Sequence, residues 1–202
     1  MRQGFTAAAM LVLGIGAGIP AAAQDRCPGP QDRGQPIAVQ FESGLVEVHR
    51  TENGQVWEIE AFEAGQMIYR LEVAHGTHLL SYVEMDAGQP VEDSRVTYDY
   101  GLAVADMPVP DPSGRWQRDV EVTDSEGVFP EGQMQAYGAV TDLAIGECRY
   151  DMIPVLIAYE TDDFYVEQIN YLPDLGIGYL VDSQTVDDPG GPIPASAIWL
   201  AD

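Results

Sequence analysis

The chain has 202 residues, of which 33 are acidic and 9 basic, and its formal net charge is −24. All nine basic residues are arginine. A surface this negative repels phosphate backbones and anionic lipid headgroups, so nucleic acid is excluded as a partner class. The acids read first as a solvated, self-repelling exterior. They could also draw a cationic partner or Ca²⁺, but no D-x-[DN]-x-[DN]-G loop marks a Ca²⁺ site.

The first residues read as an export signal. Arg2 precedes an apolar segment from Ala7 to Pro20, and Ala21-Ala22-Ala23 supplies small residues ahead of Gln24. That layout is a secretory signal peptide over residues 1–23, cleaved near Ala23. The apolar stretch falls short of the roughly 20 residues that span a bilayer, so no stable membrane insertion is expected after cleavage. Cys27 does not directly follow the cleavage site, so no lipid anchor is expected. The product is periplasmic or secreted, and residues 24–202 are expected to form a single all-β domain. In an exported chain two cysteines pair, which predicts a Cys27–Cys148 disulfide.

Gln24 to Gly34 reads as an extended lead-in, and Ile37 to Phe41 as the first strand. Leu45 to Thr51 alternates and runs into Asn53-Gly54, a hairpin signal. A two-residue turn there sets Val48 opposite Ile59 and turns His49 outward, opposite Glu58. The Glu63-Ala64-Gly65 connection then pairs Ile59 with Tyr69 and Trp57 with Leu71 on one face, and Glu58 with Arg70 on the other. Gly76-Thr77 turns into a fourth strand through Val83, completing a four-stranded meander.

Arg95 to Tyr100 and Gln117 to Thr123 read as further strands. Irregular structure is expected near residues 101–116, 124–135 and 184–197. Tyr137 to Leu143 reads as a strand or one helical turn. Cys148 to Tyr159, a turn at Thr161-Asp162-Asp163, and Phe164 to Tyr171 form a hairpin. Leu172-Pro173-Asp174-Leu175-Gly176 then turns the chain into Ile177 to Val181. Val155, Ile157 and Tyr159 share one face of their strand, with Leu156 and Ala158 on the other. A strand apolar on both faces is usually covered on both. Ile198-Trp199-Leu200 is expected to dock on the body. Short strands between turn signals, without a 3.6-residue stripe, predict a single curved antiparallel sheet or open half-barrel.

Three chemistries compete. A two-residue turn would place His75 and His78 face to face, close enough to chelate Zn²⁺ or Cu²⁺, although no third ligand stands out. Catalysis has no named centre: no serine sits in a G-x-S-x-G elbow, and no pair of carboxylates stands out among so many. No motif calls for a cofactor. The same-face row Trp57, Tyr69 and Leu71 carries the third reading, an apolar sheet face that holds a hydrophobic ligand or an envelope partner. A structural acidic domain binding a cationic partner is a further alternative.

Gly146 to Val155 follows Gly-x-Cys-x-Tyr-x-x-x-Pro-Val, and Tyr171 to Gly176 reads Tyr-Leu-Pro-Asp-Leu-Gly. This stretch, residues 146–181, resembles periplasmic domains of unknown function whose half-barrel is similar to the lipoprotein-carrier (LolA/LolB-like) fold. The resemblance implies an open curved sheet closed by helices around an apolar cavity.

Overall fold

The computed structural model describes residues 26–160 and 165–202. The signal-peptide reading and the turn at Thr161-Asp162-Asp163 lie outside the described residues. The strands are β1 (Ile37–Phe41), β2 (Val46–Thr51), β3 (Val56–Glu63), β4 (Gln66–Ala74), β5 (His78–Asp86), β6 (Gln89–Pro90) and β7 (Val96–Asp99). They continue as β8 (Arg115–Asp124), β9 (Gly127–Tyr137), β10 (Thr141–Ile145), β11 (Cys148–Glu160), β12 (Tyr165–Leu172), β13 (Ile177–Gln184) and β14 (Ala195–Leu200). All pair antiparallel in the order β13-β12-β11-β9-β8-β7-β5-β4-β3-β2-β1-β14, with β10 beside β11 and β6 beside β5. The sheet curls until it is nearly closed into a barrel. Among the described residues there is no α-helix, only three one-turn 3-10 segments. The covering helices that the resemblance implies are therefore not part of the described fold.

The β2–β3 hairpin departs from its expected register, and the cause is local. Thr51 Oγ1 accepts from the Gly54 amide at 2.9 Å and donates to the Val56 carbonyl. Asn53 Oδ1 accepts from the Gln55 and Val56 amides at 2.9 and 3.1 Å. These side chains capture backbone groups that a two-residue turn would have left to the ladder. The loop is longer, His49 pairs with Ile59, and every β2 side chain changes face. His49 therefore points inward and is fully buried. The β3–β4 pairing is shifted by two residues, which preserves the faces. Trp57, Tyr69 and Leu71 share the inner face, now opposite Val73, Ala61 and Ile59. Arg70 pairs with Glu60 rather than Glu58, though its guanidinium still reaches the Glu58 carboxylate at 3.9 Å.

Residues 124–135, expected to be irregular, are mostly strand. β8 and β9 form a tight hairpin in which Asp124 Oδ1 accepts from the Glu126 and Gly127 amides. Among the described residues β11 pairs with β9 only from Gly132 onward, so Pro130 interrupts no described β9–β11 pairing. The segment read as one element from Tyr137 to Leu143 is divided between the end of β9 and the start of β10. The C-terminal apolar triplet is β14, hydrogen-bonded along β1.

β11 changes its buried face midway. Cys148 and Tyr150 pack with β1, β13 and β14, while Ile153, Val155, Ile157 and Tyr159 pack beneath β9 and β12. On its second face Ala158 is buried, whereas Leu156 is 47% exposed among the described residues.

The two ends of the sheet meet across one core. Ile37, Val39 and Phe41 of β1 and Ile198 of β14 pack with Ile177 and Tyr179 of β13. The Phe41 and Tyr179 rings meet edge to face at 5.9 Å. The Ile193 amide donates to the Val181 carbonyl at 2.7 Å across this seam. Opposite, the β4–β5 turn presses on the start of β13. A Cβ on Gly178 would lie 2.2 Å from the Gly76 carbonyl oxygen, so two backbones touch where no side chain fits.

Cys27 and Cys148 form the expected disulfide, 121 residues apart. The lead-in it anchors is braced by Arg26, whose two hydrogen bonds to Asp32, both 2.6 Å, help hold that carboxyl down to about 2. A loop of this length is worth about 4–5 kcal/mol in the chain-entropy account. The double substitution Cys27→Ala with Cys148→Ala is expected to lower unfolding stability by about that amount, less any residual structure in the unfolded chain. Urea unfolding with and without reductant measures it: reductant should destabilise the wild type and leave the variant unchanged.

Candidate functional site: a half-open inner face

One rung of the sheet runs Leu200–Ile37–His49–Ile59–Leu71–Tyr82–Val96 across β14, β1, β2, β3, β4, β5 and β7. Its burial is uneven. Ile37, His49 and Ile59 are buried, whereas Leu71, Tyr82 and Val96 are half-buried. The inner face is thus packed under β1 to β3 and half-open under β4 to β7. Tyr69 stands on the adjoining rung with its ring 6.0 Å from that of Tyr82, and its hydroxyl donates to Glu47 Oε1 at 2.7 Å. Burial and the Glu47 charge push the Tyr69 phenol far above its ordinary range, so it stays a donor.

The three residues of the expected inner-face row therefore divide. Tyr69 and Leu71 border the half-open face. Trp57 is fully buried in the seam core. Its closed position follows from pairing with Val73, beside the β4–β5 turn, where the far side of the sheet is pressed close.

His75 and His78 do not face each other. His75 enters the turn with positive φ, and His78 pairs with Ala74. A bulge between Glu72 and Val73 accommodates the extra loop residue. His75 Nε2 donates to the Val104 carbonyl and His78 Nε2 to the Pro108 carbonyl, each at 2.8 Å. His78 Nδ1 accepts from the Gln135 amide at 3.0 Å. Both nitrogens of His78 are thereby committed, and the ring is boxed edge-on by Trp116 and Tyr100. The pair pins the 101–114 loop to the barrel. Among the described residues no group of three or more His, Cys, Asp or Glu is placed to hold a metal ion.

Sequence reasoning missed the polar interior of β9. Glu131, Gln133 and Gln135 point inward and are buried, while Met134 and Ala136 point out. Gln133 donates to Glu131 at 2.8 Å and accepts from the Tyr100 hydroxyl at 3.0 Å. Across the interior, Glu167 accepts from Tyr159 and Tyr165, whose rings stack 5.4 Å apart. Burial raises both the Glu131 and Glu167 carboxyls, and each tyrosine of the cluster is raised as well. The signal was present as a period-two alternation, but with its polarity inverted.

A second buried polar group lies on β2. Glu47 Oε2 is 3.4 Å from His49 Nε2 on the same face, at an angle that makes no hydrogen bond.

These features define an all-β chain whose nearly closed antiparallel sheet has an apolar interior with a polar, tyrosine-rich sector along β9 and β12. No family model matches the chain, and no curated protein matches it. Among solved structures, it is similar to the crystal structure of the hypothetical lipoprotein YmcC from Escherichia coli (K12), at 10% identity and a TM-score of 0.45, with 88% of this chain and 91% of that chain covered.

Buried His78 gives the site a pH signature. Desolvation pushes its imidazole down to about 4 from an unfolded value near 6.5. Between those values the unfolded chain binds a proton that the folded chain refuses. This group therefore removes up to about 3 kcal/mol as the pH falls through that window. Glu131 and Glu167 act in the opposite sense. Their raised carboxyls favour the folded state at low pH, and that contribution is lost as the pH rises through their folded values. Urea unfolding across pH 4 to 7 should show a shallower acid-side loss in His78→Gln than in the wild type. Parallel curves would show that His78 is not the group responsible.

Proposed function

We propose that the chain is an exported, non-catalytic binding module whose half-open inner face holds a hydrophobic ligand. The observation that carries this reading is the fall in burial along one inner rung, from packed Ile59 to half-buried Leu71, Tyr82 and Val96. Apolar and aromatic side chains on a concave face, bordered by a few fixed polar groups, are the usual lining of a small-molecule site. Tyr69, held by Glu47, supplies an oriented polar edge. The disulfide supports an oxidising compartment, in keeping with export to the periplasm or beyond.

Native mass spectrometry of residues 24–202, expressed into a periplasm and purified gently, tests the reading. A mass excess that disappears on organic extraction is expected. Leu71→Ser combined with Tyr82→Ala should abolish that excess while costing no more than about 1–3 kcal/mol of stability, since both residues are half-buried. Trp57→Ala should instead cost about 3–5 kcal/mol, as for any fully buried tryptophan. A bare protein mass in every preparation would overturn the proposal.

A further inference from the structure

The outward face of the sheet follows two different rules. Across β2, β3 and β4 it carries Arg50, Glu58, Glu60, Arg70 and Glu72, which lie beside half-buried Val46, Val48 and Phe62. Across β9, β11 and β12 two successive rungs read Met134–Ala158–Val166 and Ala136–Leu156–Gln168. Met134 and Leu156 are each 47% exposed. Alongside, Gly138 lies flat against Pro154, where a Cβ would come within 2.5 Å of the proline ring. A depression of about 320 Å³ lies there, bordered by Ala136, Gly138, Pro154, Leu156 and Gln168. These are inner strands of the sheet with neighbours on both sides, so the patch is not a frayed edge.

The next rungs are acidic. Asp119 and Glu160 flank Gly132, Glu121 stands opposite Pro130, and all three acids are exposed. Asp182 pairs with Gln168 on the far side, and Arg115, opposite Ala136, is the cation on these rungs. A second copy of the chain would bring the same acids face to face, on molecules that each carry −24. The charge pattern instead fits a partner of opposite sign around an apolar centre.

We propose that this outward patch docks a segment of another protein that presents apolar side chains flanked by Lys or Arg. Met134 and Leu156 form its apolar centre, the depression beside Gly138 takes one side chain, and Asp119, Glu121 and Glu160 meet the flanking cations. The surface lies on the opposite side of the sheet from the inner face and is independent of any ligand held there.

Two short fluorescent peptides of equal charge separate the contributions: one alternating leucine and lysine, the other serine and lysine. The Leu-Lys peptide is expected to bind at least about tenfold tighter, roughly what one buried leucine side chain supplies. Leu156→Gln with Met134→Gln should erase that difference. Val186→Ser, at an apolar residue 74% exposed elsewhere, and Leu71→Ser, on the inner face, should preserve it. Asp119→Asn with Glu160→Gln should weaken both peptides and flatten their salt dependence. Equal binding of the two peptides, or a difference that survives the Leu156 and Met134 changes, would overturn the proposal. So would a concentration-dependent dimer in sedimentation velocity that those same changes abolish, because the occupant would then be a second copy.

Discussion

Closing a sheet without completing its hydrogen bonds is the constraint on which this structure depends. β13 and β14 come together over a shared apolar core rather than along a ladder. The apolar side chains of β1, β13 and β14 do the joining, with the Phe41–Tyr179 contact at the centre. The β10–β11 hairpin leans over the same place, its Gly146 close enough to the Ser196 carbonyl that a Cβ would sit 3.0 Å away. Cys148, at the start of β11, then ties this region to Cys27. The molecule thus seals its weakest line with packing, one covalent link and tight backbone contact.

What is gained at the seam is spent on an interior that is not uniformly apolar. Glu47 and His49 on β2, and Glu131, Gln133 and Gln135 on β9, point into the barrel. Buried polar groups cost free energy unless they are partnered, and most of these are partnered by tyrosine hydroxyls, His78 or one another. The tyrosines serve two ends at once: their rings fill space and their hydroxyls satisfy carboxylates. The outer face shows the complementary departure, with Met134 and Leu156 where charge is the rule. On β9 the two departures coincide, inward Glu131, Gln133 and Gln135 backing outward Met134, so polarity is inverted through the thickness of the sheet there.

Much of the fold was legible in the residues. The limits of β1, the shared face of Trp57, Tyr69 and Leu71, the disulfide and the all-β curved sheet could each be read from alternation, turn residues and cysteine count. The failures are equally specific. Thr51 and Asn53 look like ordinary turn residues, yet their side chains displace the hairpin by one position and send His49 inward. Gly76-Thr77 suggests a two-residue turn, but the bulge at Glu72 and Val73 absorbs another residue and separates His75 from His78. β9 was hidden because Pro130, Gly132 and the inward glutamines imitate a loop. Exposure was harder still. Alternation says which side chains share a face, but not that Trp57 lies under the packed half of the barrel and Leu71 under the open half.

The pairing of β14 with β1 also governs when the molecule can become complete. Ile37 finds its partner in Leu200, and Cys27 finds Cys148, so one edge of the first strand is completed only by the last. Contacts this distant in sequence carry the largest loop-closure cost and form slowly. A chain threaded across a membrane from its N-terminal end would hold β1 on the far side with its edge unmatched until β14 arrived. In such a topology the barrel would close only after both ends share one compartment.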